Sequence, residues 1–119
     1  MDLRVEDHPR PIDELRRLVN LHRAYRHMNR GDELLGTGQV EEALNEYRTA
    51  AGMAPEVDEV SFWHAVTLAD VGRLEEALPI FRDVFAQNAG WARLLPRLVR
   101  AGMLRDDPVM MRHILEQAS

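Results

Sequence analysis

Residues 38–48, GQVEEALNEYR, recur with closely similar residue types as residues 72–82, GRLEEALPIFR, and this repeat decides the fold. The two stretches align without a gap at a spacing of 34 residues, a length that accommodates two helices and their turns. Gly38 and Gly72 each follow an apolar run, where a chain leaving a helix needs the left-handed conformation that glycine adopts freely. We therefore predict two antiparallel helical hairpins in tandem.

The repeat also places small and large side chains where packed helices need them. Ala43 and Ala77 stand in the second helix of each hairpin, and their small size lets them lie close to Gly31 and Ala65 of the preceding helices. The aromatic residue four positions later shares their face and would fill the gap between one hairpin and the next. The residues with a structural role in the repeat are Gly31, Gly38, Ala43, Tyr47, Ala50, Pro55, Ala65, Gly72, Ala77 and Phe81.

This period and pattern resemble the tetratricopeptide repeat. The resemblance implies an all-α fold of antiparallel helical hairpins, stacked as a short right-handed superhelix with extra N- and C-terminal helices. The second unit departs from the family pattern at Val84 and Ala89, where alanine and proline are usual, and both units lack the early aromatic residue, with His27 and Ser61 in its place. We expect one domain over 1–119, made of a lead-in (1–11), a helical extension (12–23), repeat 1 (24–57), repeat 2 (58–91) and a degenerate capping hairpin (92–119).

Apolar spacing predicts helices through the remaining chain. Residues 12–35 contain no helix breaker before Gly36, so one long helix is expected, with a break near Asn20 as the alternative. Further helices are expected over 40–53, 57–71 and 74–87. Pro96 predicts a kinked or two-piece helix that ends at Gly102. Asp106 or Asp107 is expected to cap a last helix that starts at Pro108.

A second, looser resemblance covers nearly the whole chain. Residues 2–9 (DLRVEDHP), 22–25 (HRAY) and 101–108 (AGMLRDDP) look like the C-terminal helical region of a group of bacterial proteins. In those proteins the N-terminal domain is similar to N-terminal-nucleophile hydrolases, and the tail has been described as peptidoglycan-binding. This resemblance implies an alternative function, an accessory cell-wall-binding domain of a larger hydrolase-like protein.

The composition is that of a globular protein with an uneven charge. The chain is 45% hydrophobic, has no cysteine and carries a net charge of −5. Residues 31–90 hold three arginines against twelve acids, whereas both flanking segments are basic. Because nucleic-acid binding needs a coherent positive surface, no nucleic-acid partner is expected. Neither a signal peptide nor a membrane-spanning run is visible in the sequence, so we expect no membrane partner and a cytoplasmic location.

No residue constellation predicts an active site. His22 and His27 are five residues apart, and a helix that holds zinc needs histidines three or four apart. The glycines at 36 and 38 lack the Lys-Ser/Thr of a phosphate loop. Glu41-Glu42 and Glu75-Glu76 are adjacent residues that face apart on a helix, and they complement the helix dipole. We expect no enzyme activity, no metal and no cofactor.

The function expected is protein–protein interaction through a concave groove. In tetratricopeptide stacks the first helix of each hairpin lines this groove, and here it would offer Tyr25, Met28, Asn29, Asp32, Leu35, Glu59, Phe62, Trp63, Val66 and Asp70. Such a groove is apolar and acidic, which suits a hydrophobic or basic helix or peptide. The chain has no lysine, and Asp32 would repel a terminal carboxylate, so the carboxylate clamp of chaperone-binding relatives is not expected.

Three alternatives remain open at this point. In the first, the chain's own C-terminal helix fills the groove in place of a partner. Trp63 and Trp91, if exposed, would be able to stack on sugars of peptidoglycan. Arg16, Arg23 and Arg30, at seven-residue spacing, are either a solvated face or a contact for an acidic partner or for the acidic middle of another copy, which would give a homo-oligomer.

Overall fold

The computed structural model describes residues 11–119, which form six α-helices and, within that range, no strand. The all-α prediction is therefore confirmed for the described chain. The predicted lead-in falls mostly on residues 1–10, outside the described residues. The helices are α1 (Pro11–Gly36), α2 (Val40–Met53), α3 (Asp58–Asp70), α4 (Leu74–Gln87), α5 (Trp91–Arg100) and α6 (Pro108–Glu116).

Backbone contacts divide the described chain into two compact units, the first ending at Ala54 and the second spanning Pro55–Ser119. The first contains the hairpin α1–α2, and the second contains the hairpin α3–α4 together with α5 and α6. Each hairpin corresponds to one predicted repeat. Stacking of both hairpins into a single domain stays a prediction, and each unit is described by itself below.

Three helices end in the same way, at Gly38, Gly72 and Gly102. These glycines have φ angles of +81°, +91° and +76°, in the left-handed region. At each end the residue after the glycine donates a backbone hydrogen bond of 2.8–2.9 Å to a carbonyl five residues earlier, as from Gln39 to Leu34. This is the Schellman arrangement, which satisfies carbonyls that the end of a helix leaves open. The sequence prediction of a left-handed turn at both repeat glycines is confirmed.

In the first unit, α2 packs along only part of α1. The two helices have 26 and 14 residues, so they extend about 39 Å and about 21 Å at 1.5 Å per residue. Ala24, Met28 and Gly31 of α1 are buried, and all three lie in the half of α1 nearest to the turn. The half that begins at Ile12 extends past the end of α2. The alternative break near Asn20 is wrong, because α1 is continuous.

In the second unit, small and aromatic residues form the hairpin core. Ala65 of α3 and Ala77 of α4 are fully buried. The ring of Phe62 meets that of Phe81 edge-on, with centroids 6.1 Å apart, and Phe81 stacks on Phe85 at 5.7 Å. Phe81 thus packs inside its own hairpin, and the prediction that it fills the gap between one hairpin and the next stays a prediction.

The last two helices depart from the predicted capping hairpin. Both α5 and α6 make their main backbone contacts with α4, and they do not form an extensive pair with each other. α5 also passes through Pro96 as one helix, so the two-piece alternative is wrong. It forgoes one backbone hydrogen bond, which proline cannot donate. Asp107 caps α6 by accepting a hydrogen bond of 3.1 Å from the backbone nitrogen of Met110, as expected for one of the two candidates.

Candidate functional site

The groove residues predicted in the first unit are only partly available to a partner. Met28 is buried, so its placement in an open groove is wrong. Asp32 is exposed but accepts a hydrogen bond from the hydroxyl of Tyr47, which ties it to α2. Asn29 is exposed, and Tyr25 and Leu35 are half-buried. These three are the remaining groove candidates on α1.

The groove residues predicted in the second unit belong largely to its core. Phe62 is 0% exposed and Val66 is also buried, so the prediction that they contact a partner is wrong. The ring of Phe62 is enclosed by aromatic neighbours: Phe81 meets it edge-on, and the ring of Trp91 stacks on it with centroids 4.6 Å apart and planes at 27°. The first residue of α5 therefore covers Phe62, whereas the alternative that the C-terminal helix fills the groove stays a prediction.

Polar contacts hold the C-terminal part of the chain in place. The indole nitrogen of Trp91 donates a hydrogen bond of 2.8 Å to Asp58 at the start of α3. At the other end of α3, Asp70 accepts a hydrogen bond of 2.8 Å from the backbone nitrogen of Arg105. Asp70 thus has a structural role that its assignment to the groove did not foresee. Of the predicted residues on α3, Glu59 stays exposed and Trp63 half-buried.

The repeat residues lie where their structural roles require. Gly31, Ala43, Tyr47, Ala50, Ala65, Ala77 and Phe81 are buried, and Gly38 and Gly72 form the left-handed turns. Pro55 is exposed and follows the end of α2 by two residues. These residues build the two hairpins and leave the surface to other side chains.

One polar cluster joins the helices of the first hairpin. Glu46 of α2 is hydrogen-bonded to His27 of α1, and its other carboxylate oxygen lies 3.3 Å from Nε of Arg30. All three side chains are partly exposed. The cluster holds Arg30 against α2. Arg16 and Arg23, nearer the N-terminus of α1, are not part of it.

Four arginines of α1 share one exposed surface, which we call the arginine face: Arg16, Arg23, Arg26 and Arg30. Their spacing of seven, three and four residues keeps them on one side of the helix. Within residues 11–119, Arg16, Arg23 and Arg26 form no ion pair. Two surface depressions lie along this face and share Arg23. Within the described part of the chain, Arg16, Arg23 and Arg26 are therefore exposed arginines without an ion-pair partner, whereas Arg30 is paired with Glu46.

Three apolar residues, which we call the apolar stripe, lie beside these arginines: Ile12, Leu15 and Val19. Ile12 is 62% exposed and Leu15 is 37% exposed, whereas Val19 is half-buried. Leu15 and Val19 line one depression together with Arg16, Asn20 and Arg23. The stripe therefore exposes two apolar side chains one helical turn apart, with Val19 partly exposed beyond them.

Sequence reasoning found part of this surface and missed the rest. The seven-residue spacing of Arg16, Arg23 and Arg30 indicates a contact surface, but the apolar spacing over 12–35 predicts a helix without indicating which apolar side chains stay uncovered. The difference in length between α1 and α2 was the signal that α2 leaves them uncovered.

A second exposed apolar patch lies on α6. Val109 and Leu115 are exposed there, and a depression is lined by Pro108, Met111 and Leu115 with Arg112 and Glu116 beside them. One arginine and one glutamate flank this patch, so their charges offset each other. The surface of α1 instead carries several arginines.

Within 11–119, no three histidine or acidic side chains gather closely enough to hold a metal ion. His64 is buried in the second unit rather than placed at a cleft. No helix in this range combines the length and the apolar content needed to cross a bilayer.

Comparisons with known proteins add no relative: no protein-family model, no curated protein and no solved structure matches the chain.

Proposed function

We propose that this chain is a non-enzymatic protein–protein interaction module of the tetratricopeptide-like kind, and that it binds its partner through the exposed N-terminal half of α1. The observation that carries the proposal is the apolar stripe. Ile12 at 62% exposure and Leu15 at 37% expose apolar area on a rigid helix, and burying such area is the main driving force of association.

The position of this surface supports the same function. The half of α1 near the turn is held by α2, with Ala24, Met28 and Gly31 buried. A helix anchored at one end presents its other end in a defined conformation, so a partner does not have to order it on binding. The hairpin repeat thus acts as the base that holds a recognition helix.

The concave groove predicted from the sequence is a weaker candidate for the binding surface. In the second unit Phe62 and Val66 are core residues, and Trp91 covers Phe62. Binding there would require displacement of the chain's own α5. The sugar-binding alternative loses Trp91 for the same reason, since its ring is stacked on Phe62 and its nitrogen donates to Asp58.

Selection of binding peptides tests the proposal without assuming a partner. A library of helical peptides is displayed and selected against the immobilised chain, and each enriched peptide is then measured by fluorescence anisotropy. We expect enriched peptides whose affinity falls at least about tenfold in Leu15→Asp, because a buried carboxylate would replace apolar contact.

A matched variant controls for the added charge. Thr49→Asp places the same charge at an exposed position of α2 and should leave the affinities unchanged. Enriched peptides that bind both variants equally well, or a selection that yields none above an unrelated helical protein, would rule out α1 as the interaction surface.

A further inference from the structure

The apolar stripe of α1 has the spacing of a coiled-coil seam. Ile12, Leu15, Val19 and His22 follow one another at steps of three, four and three residues, so they occupy the two core positions of a heptad. Ala24 and Met28, the buried residues that belong to the hairpin core, fall outside those core positions. The seam therefore faces away from the core of the hairpin.

The arginines occupy the flank of this seam. Arg16, Arg23 and Arg30 recur every seven residues and each directly follows a core position in the heptad. Side chains at that flanking position decide which helix can pair with which, because they meet the flanking residues of the partner. An exposed apolar seam with an all-positive flank fits a helix whose own flank is negative.

Two copies of the same seam do not fit each other. In an antiparallel pair the flank of one copy meets the same flank of the other, so arginines would face arginines. In a parallel pair Arg26, which occupies a core position, would face its own counterpart. Like charges placed in contact disfavour pairing, so charge makes both symmetric dimers less favourable than pairing with an acidic helix.

Other negatively charged partners fit less well. An in-plane membrane helix needs a broad apolar face, whereas this seam has three apolar side chains, of which Val19 is half-buried. Nucleic acid requires a coherent positive surface, but Glu33 lines the same depression as Arg26 and Arg30, and the chain carries a net charge of −5. A protein helix, with paired apolar and acidic residues, matches both properties of the surface at once.

We propose that the seam of α1 binds an amphipathic helix of a different protein, whose carboxylates flank its own apolar stripe and pair with Arg16 and Arg23. This inference rests on the proposed function and specifies the chemistry of the partner at that same surface. The apolar stripe supplies the buried area, and the arginines select the sign of the partner's charge.

Synthetic peptides test the selection directly. Two three-heptad peptides carry identical leucines at the core positions, with glutamate at both flanking positions in one and lysine in the other. Glutamate at both flanks lets the peptide pair in either orientation. We expect the full chain to bind the glutamate peptide at least about tenfold more tightly, and the difference to shrink in high salt as the charges are screened.

Charge reversal in the protein provides the second measurement. The double variant Arg16→Glu, Arg23→Glu should lose about tenfold or more in affinity for the glutamate peptide and gain affinity for the lysine peptide. The control, Arg93→Glu with Arg112→Glu, makes the same change of charge at exposed residues of α5 and α6, and it should change neither affinity.

The outcomes separate this inference from the proposed function. Equal affinity for both peptides would overturn the acidic partner, while selected peptides that still depend on Leu15 would leave the interaction surface in place. A dimer in sedimentation velocity that Arg16→Glu, Arg23→Glu abolishes would make a second copy the occupant and overturn the inference. Retention on vesicles of anionic phospholipid at physiological salt, with no preference between the peptides, would overturn it in favour of a membrane.

Discussion

A Cβ atom placed on Gly31 of α1 would lie 3.1 Å from two ring atoms of Tyr47 on α2. It would also lie 3.3 Å from the backbone oxygen of Ala43. The absence of a side chain at Gly31 is therefore what allows α1 and α2 to approach this closely. Glycine inside a helix costs about 1 kcal/mol relative to alanine, and the buried ring of Tyr47 offsets that cost.

Gly31→Ala should lower the free energy of unfolding by about 1 kcal/mol. The added methyl group gains helix propensity, but it forces Tyr47 or the backbone of α2 to move, and overpacking of this kind costs about 1–3 kcal/mol. Gly52→Ala is the matched control, because nothing lies within 4 Å of a Cβ there, and it should stabilise by about 0.5–1 kcal/mol. Urea denaturation followed by circular dichroism measures both; stabilisation by Gly31→Ala would contradict the close approach.

Ala77→Leu should destabilise the second hairpin by about 1–3 kcal/mol, because Ala77 is fully buried and has no room for three further carbon atoms. Ala86→Leu introduces the same side chain at an exposed position of the same helix and should change the free energy of unfolding by less than about 0.5 kcal/mol. Urea denaturation of both variants makes the comparison. Equal effects at the two positions would mean that Ala77 is not packed against α3.

The hairpins could be predicted from the sequence because their signals are local. Gly38 and Gly72 end helices by a conformation that depends on a single residue, and both lie in the left-handed region as expected. The bounds of α2 and α4 match the predicted ones exactly, since a turn glycine fixes the start of each and apolar spacing fixes its length. The close approach of Ala43 to Gly31 is predicted from the same repeat.

The exposure of the groove residues could not be predicted, because it depends on residues that are distant in the sequence. The sequence analysis places Phe62 in the groove of α3. In the structure Phe62 is buried, and Trp91, which belongs to the second helix after α3, stacks on it. The sequence analysis also places Asp70 in the groove, yet its carboxylate accepts a hydrogen bond from the backbone nitrogen of Arg105. No spacing within α3 indicates which later segment returns to it. Conversely, Leu15 is exposed because α2 ends before it reaches that part of α1. The end of α2 could be predicted from the sequence, but the apolar pattern of α1 alone does not show it.

Trp91→Ala should destabilise the second unit by about 3 kcal/mol, because it removes the ring stacked on Phe62 and exposes a core residue. Trp91→Phe keeps an aromatic ring and loses the 2.8 Å hydrogen bond to Asp58, so it should cost only about 1 kcal/mol. Thermal unfolding ranks the two variants against the parent. If Trp91→Ala were as stable as the parent, α5 would not cover α3, and the original groove would be open again.

Asp107→Ala should destabilise α6 by about 1 kcal/mol. The carboxylate of Asp107 accepts a hydrogen bond of 3.1 Å from the backbone nitrogen of Met110, and loss of such a cap leaves a helix-terminal N–H without its partner. The neighbouring Asp106 is exposed and does not cap α6, so Asp106→Ala removes the same charge without removing the cap. Amide hydrogen exchange of α6 distinguishes the two: exchange should accelerate in Asp107→Ala and stay close to that of the parent in Asp106→Ala. Equal acceleration in both would assign the effect to charge near the helix N-terminus instead of to the cap.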